Sequence, residues 1–239
     1  MTLPPHIRGI IELDGGTDDI ATIRLVAPAC DCEIVPGTDS KLSWLTGTKI
    51  EQAATPEEAK DETTKLLAVL NGLARMEKPA HKNVAVGPTF VKNGHYHYFG
   101  PPLPFATSGV FVFGSFLAPV PPPPDDPAKA RHRAGLVGDP DLVEIVRVFC
   151  DEINWQKLRV AFEKIRALVG GSDNSLVQRG YATRDELSRF KANIEDPRLS
   201  DNEAVHGVPK GPLKAQKMSE EEGLAFIIRL LDRYLGPDG

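Results

Sequence analysis

Four consecutive prolines, Pro121 to Pro124, followed by Asp125-Asp126-Pro127, constrain this chain more than any other stretch. A proline run can neither join a sheet nor continue a helix, and it favours extended polyproline geometry, so it reads as a semi-rigid spacer. The hydrophobic period changes across it, from strand-like alternation before to helical spacing after. A chain of 239 residues also has room for two domains of about 100 to 150 residues each. The expected organisation is an α+β domain over residues 1–117, a Pro-rich linker over 118–138 and an all-α four-helix bundle over 139–239.

Before the spacer, residues 6–13 (HIRGIIEL) and 20–26 (IATIRLV) are rich in Ile and Val and flank Asp14-Gly15-Gly16, which predicts an antiparallel hairpin. Cys30, Cys32 and Ile34 alternate with Asp31 and Glu33, as in a strand with one wet face, and residues 42–48 around Trp44 suggest another strand. Thr55-Pro56-Glu57-Glu58 supplies an N-cap, a proline at the first helical position and a Glu three after the cap. The helix it opens should run to about Met76, with Leu66, Leu67, Leu70 and Leu73 facing a sheet. Residues 83–91 and 95–99 read as strands joined through Asn93-Gly94, a pair that favours tight hairpins. Residues 110–116 (VFVFGSF) are apolar on both faces and are expected inside a mostly antiparallel sheet.

Beyond the spacer, Asp139-Pro140 starts a helix carrying Leu142, Ile145, Val146 and Phe149. Asn154 caps a second helix that stops at Gly170-Gly171. Thr183 with Glu186 and Ser219 with Glu222 are capping boxes, in which each pair of side chains satisfies two orphan backbone amides. The last helix carries Leu224, Ile227, Ile228, Leu231, Tyr234 and Leu235 on one stripe and is stopped by Gly236-Pro237.

Charge excludes a generally basic nucleic-acid binder: residues 1–117 hold 10 Lys/Arg against 13 Asp/Glu, and residues 118–239 hold 18 against 20. No apolar run approaches the roughly 20 residues of a membrane span. The start, MTLPPHIRG, lacks a basic stretch followed by an apolar core, and three cysteines give no disulfide framework, so a cytoplasmic location is expected. Neither Gly15-Gly16 nor Gly170-Gly171 fits a phosphate-loop spacing, and no Ser or Cys sits in a nucleophile motif. No cofactor or metal is expected. His95 and His97 leave one strand face and would chelate a metal only if His81 or His6 converged on them; otherwise they lie on a solvated face. Cys30 and Cys32 read as small buried side chains.

One stretch carries chemistry. Asp201-Asn202-Glu203-Ala204-Val205-His206-Gly207, set before a capped terminal helix in a four-helix arrangement, resembles the signature region of HEPN-like helical domains. The family's motif is an Arg, commonly followed by Asn, then a His a few residues on and often a Gly. Asn202, His206 and Gly207 match it, while Asp201 stands where the Arg belongs. The resemblance covers residues 139–235 at most. It implies a homodimer formed through the bundle and, in active members, metal-independent RNA cleavage. His206 would move protons at the ribose hydroxyl and the leaving oxygen, and a guanidinium would stabilise charge on the phosphate.

A carboxylate repels that phosphate. Unit charges about 4 Å apart interact by about 1 kcal/mol in water and about 4 kcal/mol at an effective dielectric of about 20, so the exchange is a swing of about 2 to 8 kcal/mol. In a ribonuclease, Arg198 would have to substitute beside His206 and Asn202, with Arg189 next in line. Lys210, Lys214 and Lys217 lie in a loop, residues 208–218, without an acidic residue, which could bind phosphate or an acidic partner. The expected function is therefore a non-enzymatic interaction or regulatory protein with a self-associating helical domain and a protein partner. A divergent ribonuclease of toxin or phage-defence type, with RNA as partner, is the alternative. A metal- or small-molecule-binding protein centred on the N-terminal sheet is a second alternative.

Overall fold

Runs of Ile, Val and aromatic residues in the first half form a five-stranded antiparallel sheet, and the helical periods of the second half form helices, so the chain is α+β. The computed structural model describes residues 9–36, 43–93, 95–99, 127–196, 198–199 and 216–236. The chain divides into two units, Met1–Ala130 and Arg131–Gly239.

In the first unit the strands are β1 (Gly9–Asp14), β2 (Cys32–Pro36), β3 (Ser43–Gly47), β4 (Ala85–Lys92) and β5 (His95–Tyr98), in spatial order β2-β3-β1-β4-β5. Register places Ile11 opposite Leu45 and Phe90, and Ile34 opposite Leu45, so one face carries these fully or nearly fully buried side chains. Ile10, Val35, Trp44 and Val91 pack as a buried cluster that alternation assigns to the opposite face. Asn93 takes the positive φ of 51° that the tight β4–β5 connection requires. Helix α3 (Pro56–Glu77) is capped by Thr55, whose hydroxyl accepts from Glu58 N, and it packs on β4, β1 and helix α1 (Thr17–Val26).

Residues 20–26 are not a strand. They belong to α1 (Thr17–Val26), which buries Asp19, Ile20, Ile23 and Val26, a 3–4 spacing that packs on α3. Gly16 at the N-cap and Asp18-Asp19 in the first turn favour a helix start here, and tertiary packing overrides the β propensity of Ile and Val. The Cys30–Ile34 alternation also fails at its beginning. Cys30 closes a 3-10 turn, Ala27–Cys30, and Asp31 at φ 52° reverses the chain before Cys32 opens β2. Short helix α2 (Thr48–Gln52) follows β3 directly. The expected strand over residues 110–116 lies outside the described residues.

The stretch expected to be linker is partly helical: α4 spans Pro127–Gly138 and buries Leu136 and Arg133. Pro127 can open a helix because its missing N–H is an orphan there in any case, so the last proline of the run ends the spacer reading rather than extending it. After α4 come α5 (Pro140–Val148), α6 (Trp155–Val169), α7 (Asp173–Gln178), α8 (Arg184–Glu195) and α9 (Glu220–Leu235). Among the described residues the helical half therefore has two helices, α4 and α7, more than the four expected. Helix α7 is two turns long, too short to show a period, and is capped by Ser172 accepting from Ser175 N.

The core of this half is aromatic. The Phe190 ring lies 4.7 Å from Phe226, 5.3 Å from Phe162 and 6.1 Å from Trp155, joining α8 to α9 and α6. Gly223 lets α9 approach α6 closely, since a Cβ there would stand 2.8 Å from Leu158 Cδ1 and 3.2 Å from the Trp155 ring.

Candidate functional site

Both capping boxes form as their sequences require, and each glutamate has a second role. Glu186, at the third position of α8, satisfies the Thr183 amide and also accepts from Arg229 of α9 at 2.8 Å. Glu222, at the third position of α9, satisfies the Ser219 amide and accepts from Arg189 of α8 at 3.2 Å. The pairs 186–229 and 189–222 run in opposite directions, so α8 and α9 are antiparallel. The Thr183 amide, more than Arg229, holds Glu186 below the usual carboxylate range, and the Ser219 amide does the same for Glu222.

Asn193 fixes the chain entering α9. It is fully buried, and its Nδ2 donates to Arg189 O at 2.9 Å and Gln216 O at 3.1 Å. Its Oδ1 accepts from Met218 N at 2.8 Å. Lys217 is thereby held at the mouth of the junction with an exposed side chain, and its carbonyl accepts from Arg189 at 3.2 Å.

Beside this junction, α7 and α8 border an open groove of about 900 Å³. Arg184, Arg189 and Lys191 on its walls are matched in number by Asp173, Asp185 and Glu195. Lys191 donates to Asp173 across the groove at 2.7 Å, and that bond is the main reason the Asp173 carboxyl stays below its ordinary range. Arg166 of α6 stands 3.5 Å from the other Asp173 oxygen.

Of the residues singled out by sequence, Asn202, His206, Lys210 and Lys214 lie outside the described residues, as does Asp201. Arg198 and Lys217 are described. Arg198 is chelated by its neighbour Asp196: Nε donates to Oδ1 at 2.9 Å and the terminal nitrogen to Oδ2 at 2.5 Å. Arg189, the other substitute, is committed to Glu222 and to the Lys217 carbonyl. Both guanidinium groups thus already carry a carboxylate.

In the first unit, His95 is exposed, while the half-buried His97 ring sits 5.9 Å from Phe90. His81 faces neither; its ring nitrogens point at Asn71 and Asp19. Among the described residues no group of three or more His, Cys, Asp or Glu side chains is placed to hold a metal ion. The Cys32 thiol donates to Ala27 O at 3.2 Å, and burial pushes the Cys30 thiol up to about 11 and that of Cys32 higher still, so both stay protonated.

Sequence reasoning missed a buried polar network around His81. Asn71 and Arg75 sit one helical turn apart on α3, 5% exposed each, and reach the α3–β4 connection. The Asn71 amide pairs with both backbone groups of Val84 at 2.9 Å, and Arg75 donates to His81 O at 2.7 Å and Asn83 Oδ1 at 2.9 Å. Asp19 of α1 accepts from Lys82 N at 2.9 Å. The available signal was two polar residues, i and i+4, inside the apolar stripe of a long helix.

Among the described residues no helix is long and apolar enough to cross a membrane. No protein family, curated protein or solved structure matches this chain.

Proposed function

We propose that the protein is a non-enzymatic interaction protein, self-associating through a HEPN-like helical unit and taking a partner protein in the groove between α7 and α8. The observation that carries this reading is the balance of charge on the groove walls, Arg184, Arg189 and Lys191 against Asp173, Asp185 and Glu195. A nucleic-acid backbone is uniformly anionic and its binding rests on released counterions, so it selects surfaces of one sign. A protein partner carrying both signs is steered and registered by a mixed surface. The commitment of Arg198 to Asp196 and of Arg189 to Glu222 supports the same choice over RNA cleavage.

The test sets wild type and His206→Ala against single-stranded RNA in chelator. The expected result is no cleavage by either, together with weak RNA binding that is lost at physiological salt. Metal-independent cleavage by wild type that disappears in His206→Ala overturns the reading and makes the protein a ribonuclease. Light scattering at micromolar concentration tests self-association directly, and a monomer mass removes it.

A further inference from the structure

The side that α8 turns to the groove is a single stripe. Arg184, Ser188, Lys191 and Glu195 follow one another at helical spacing along one face, and all four line the groove. The first and last of them carry opposite charge, and both are exposed. At a rise of about 1.5 Å per residue they stand about 16 Å apart.

Neither end charge is accounted for within the chain. Lys191 pairs with Asp173 at 2.7 Å and Arg189 with Glu222 at 3.2 Å, but among the described residues Arg184 and Glu195 form no ion pair. Each also stands at the end of α8 where the helix dipole disfavours its sign, a cation in the first turn and an anion in the last. The reverse arrangement would stabilise the isolated helix, so these two charges point to a partner.

The stripe is its own complement. A two-fold interface pairs residue i with j and j with i, so opposite charges at equal distances from its centre are satisfied at both ends by an identical stripe. With the axis crossing α8 between Ser188 and Lys191, a second copy lies antiparallel on the first, Arg184 of each against Glu195 of the other. A parallel arrangement would instead set like charges together, which opposes association. At the centre Ser188 and Ala192 are short, and Lys191 is already neutralised by Asp173 of its own copy, so the helices can approach without bringing an unpaired charge between them. Any other protein would need the same order of charges at the same spacing, which this chain already carries.

We propose that α8 is the face through which this protein self-associates: two copies pack α8 antiparallel about a two-fold axis, each along the groove of the other, with two symmetric Arg184–Glu195 ion pairs. This interface rests on the self-association proposed above, and it makes a second copy of this chain the protein that the groove takes.

Sedimentation equilibrium of the full chain at low salt and micromolar concentration should give a wild-type dimer. Arg184→Glu and Glu195→Arg each turn two attractive pairs into two repulsive ones, and each should raise the dissociation constant about tenfold or more. Both substitutions give α8 the sign its dipole prefers, so circular dichroism should show the helix content retained. An equimolar mixture of the two single variants should recover the wild-type constant, because each chain then supplies the charge that the other lacks, and the double variant should recover it alone. Should a charge reversal fail to fold, Arg184→Gln and Glu195→Gln remove the pairs without new repulsion and should each raise the constant about threefold. A wild-type monomer removes self-association itself, and this interface with it. A wild-type dimer whose constant the single variants leave unchanged, or a mixture no tighter than either variant alone, overturns the α8 face and leaves self-association to another surface of the helical unit.

Discussion

Asn193 is the residue whose removal should most disturb the α8–α9 junction. Replacing it with Ala leaves the buried Met218 N–H without an acceptor, and an orphaned buried amide costs about 1 to 3 kcal/mol. Gln216 is exposed, so its carbonyl can turn to water, and Arg189 O keeps its helical partner; neither adds much. The space left by the amide adds about 1 kcal/mol. The sum, about 2 to 4 kcal/mol, lowers the melting temperature of a unit this size by roughly 10 to 20 °C. Circular dichroism of the full chain reads this directly, because most of the helix lies in the second unit.

Asn193→Asp tests the geometry rather than the burial. It keeps an acceptor for Met218 N but sets a carboxylate against the Arg189 and Gln216 carbonyls, which raises its folded pKa above the unfolded value of about 3.9. The variant should therefore be most nearly native below that value and lose stability as pH rises through its folded pKa. A loss under about 1 kcal/mol in Asn193→Ala, smaller than the cost of one orphaned amide, would refute the reasoning. So would an Asp variant whose deficit does not depend on pH.

Thr183→Ala should cost about 1 kcal/mol in denaturant melts by removing an N-cap, and Ser219→Ala about the same. Glu186 is held below its ordinary 4.5, chiefly by the Thr183 amide, so it contributes stability above that value that is lost as pH falls through its folded pKa; a pH series of melts should show a shallower acid loss in Glu186→Gln. Gly223→Val places a branched side chain where Leu158 and Trp155 already stand, and overpacking of about 1 to 3 kcal/mol should outweigh the helix propensity gained, measured as a lower urea midpoint. Asp201→Arg should strengthen RNA binding in filter assays at low salt, because it exchanges a repelling charge for a guanidinium.

Where local chemistry decides, the sequence could be read. Thr55, Asn154, Thr183 and Ser219 cap the helices their spacing predicts, because a cap is a contact between residues three apart and needs nothing from elsewhere. Residues 20–26 could not be read, since Ile20, Ile23 and Val26 fit either a strand or one face of a short helix, and only packing on α3 decides. The candidate site divides in the same way. Lys217 and Arg198 could be named by type, but Arg198 is occupied by a carboxylate two residues away and Arg189 by one thirty-three residues away. The first pairing was available from spacing; the second depends on the antiparallel course of α8 and α9.

Asn71 and Asn193 show how the polar positions that resist sequence reading can be found. Each lies within a helix beside the residues of its buried stripe, Leu67 and Leu70 for one and Phe190 and Ile194 for the other. Each uses its amide as a piece of strand, accepting from one backbone N–H (Val84 at 2.9 Å, Met218 at 2.8 Å) and donating to a carbonyl of a neighbouring segment. No apolar residue can satisfy both a donor and an acceptor there, and a carboxylate can satisfy only the donor. Asparagine is also a poor helix former. Its presence on a buried helical face therefore has to be offset by tertiary hydrogen bonds, and the segment it binds must be irregular chain whose backbone groups lack partners. In both units that segment is the connection leading into the next element, β4 or α9, so the asparagine sets where that element begins.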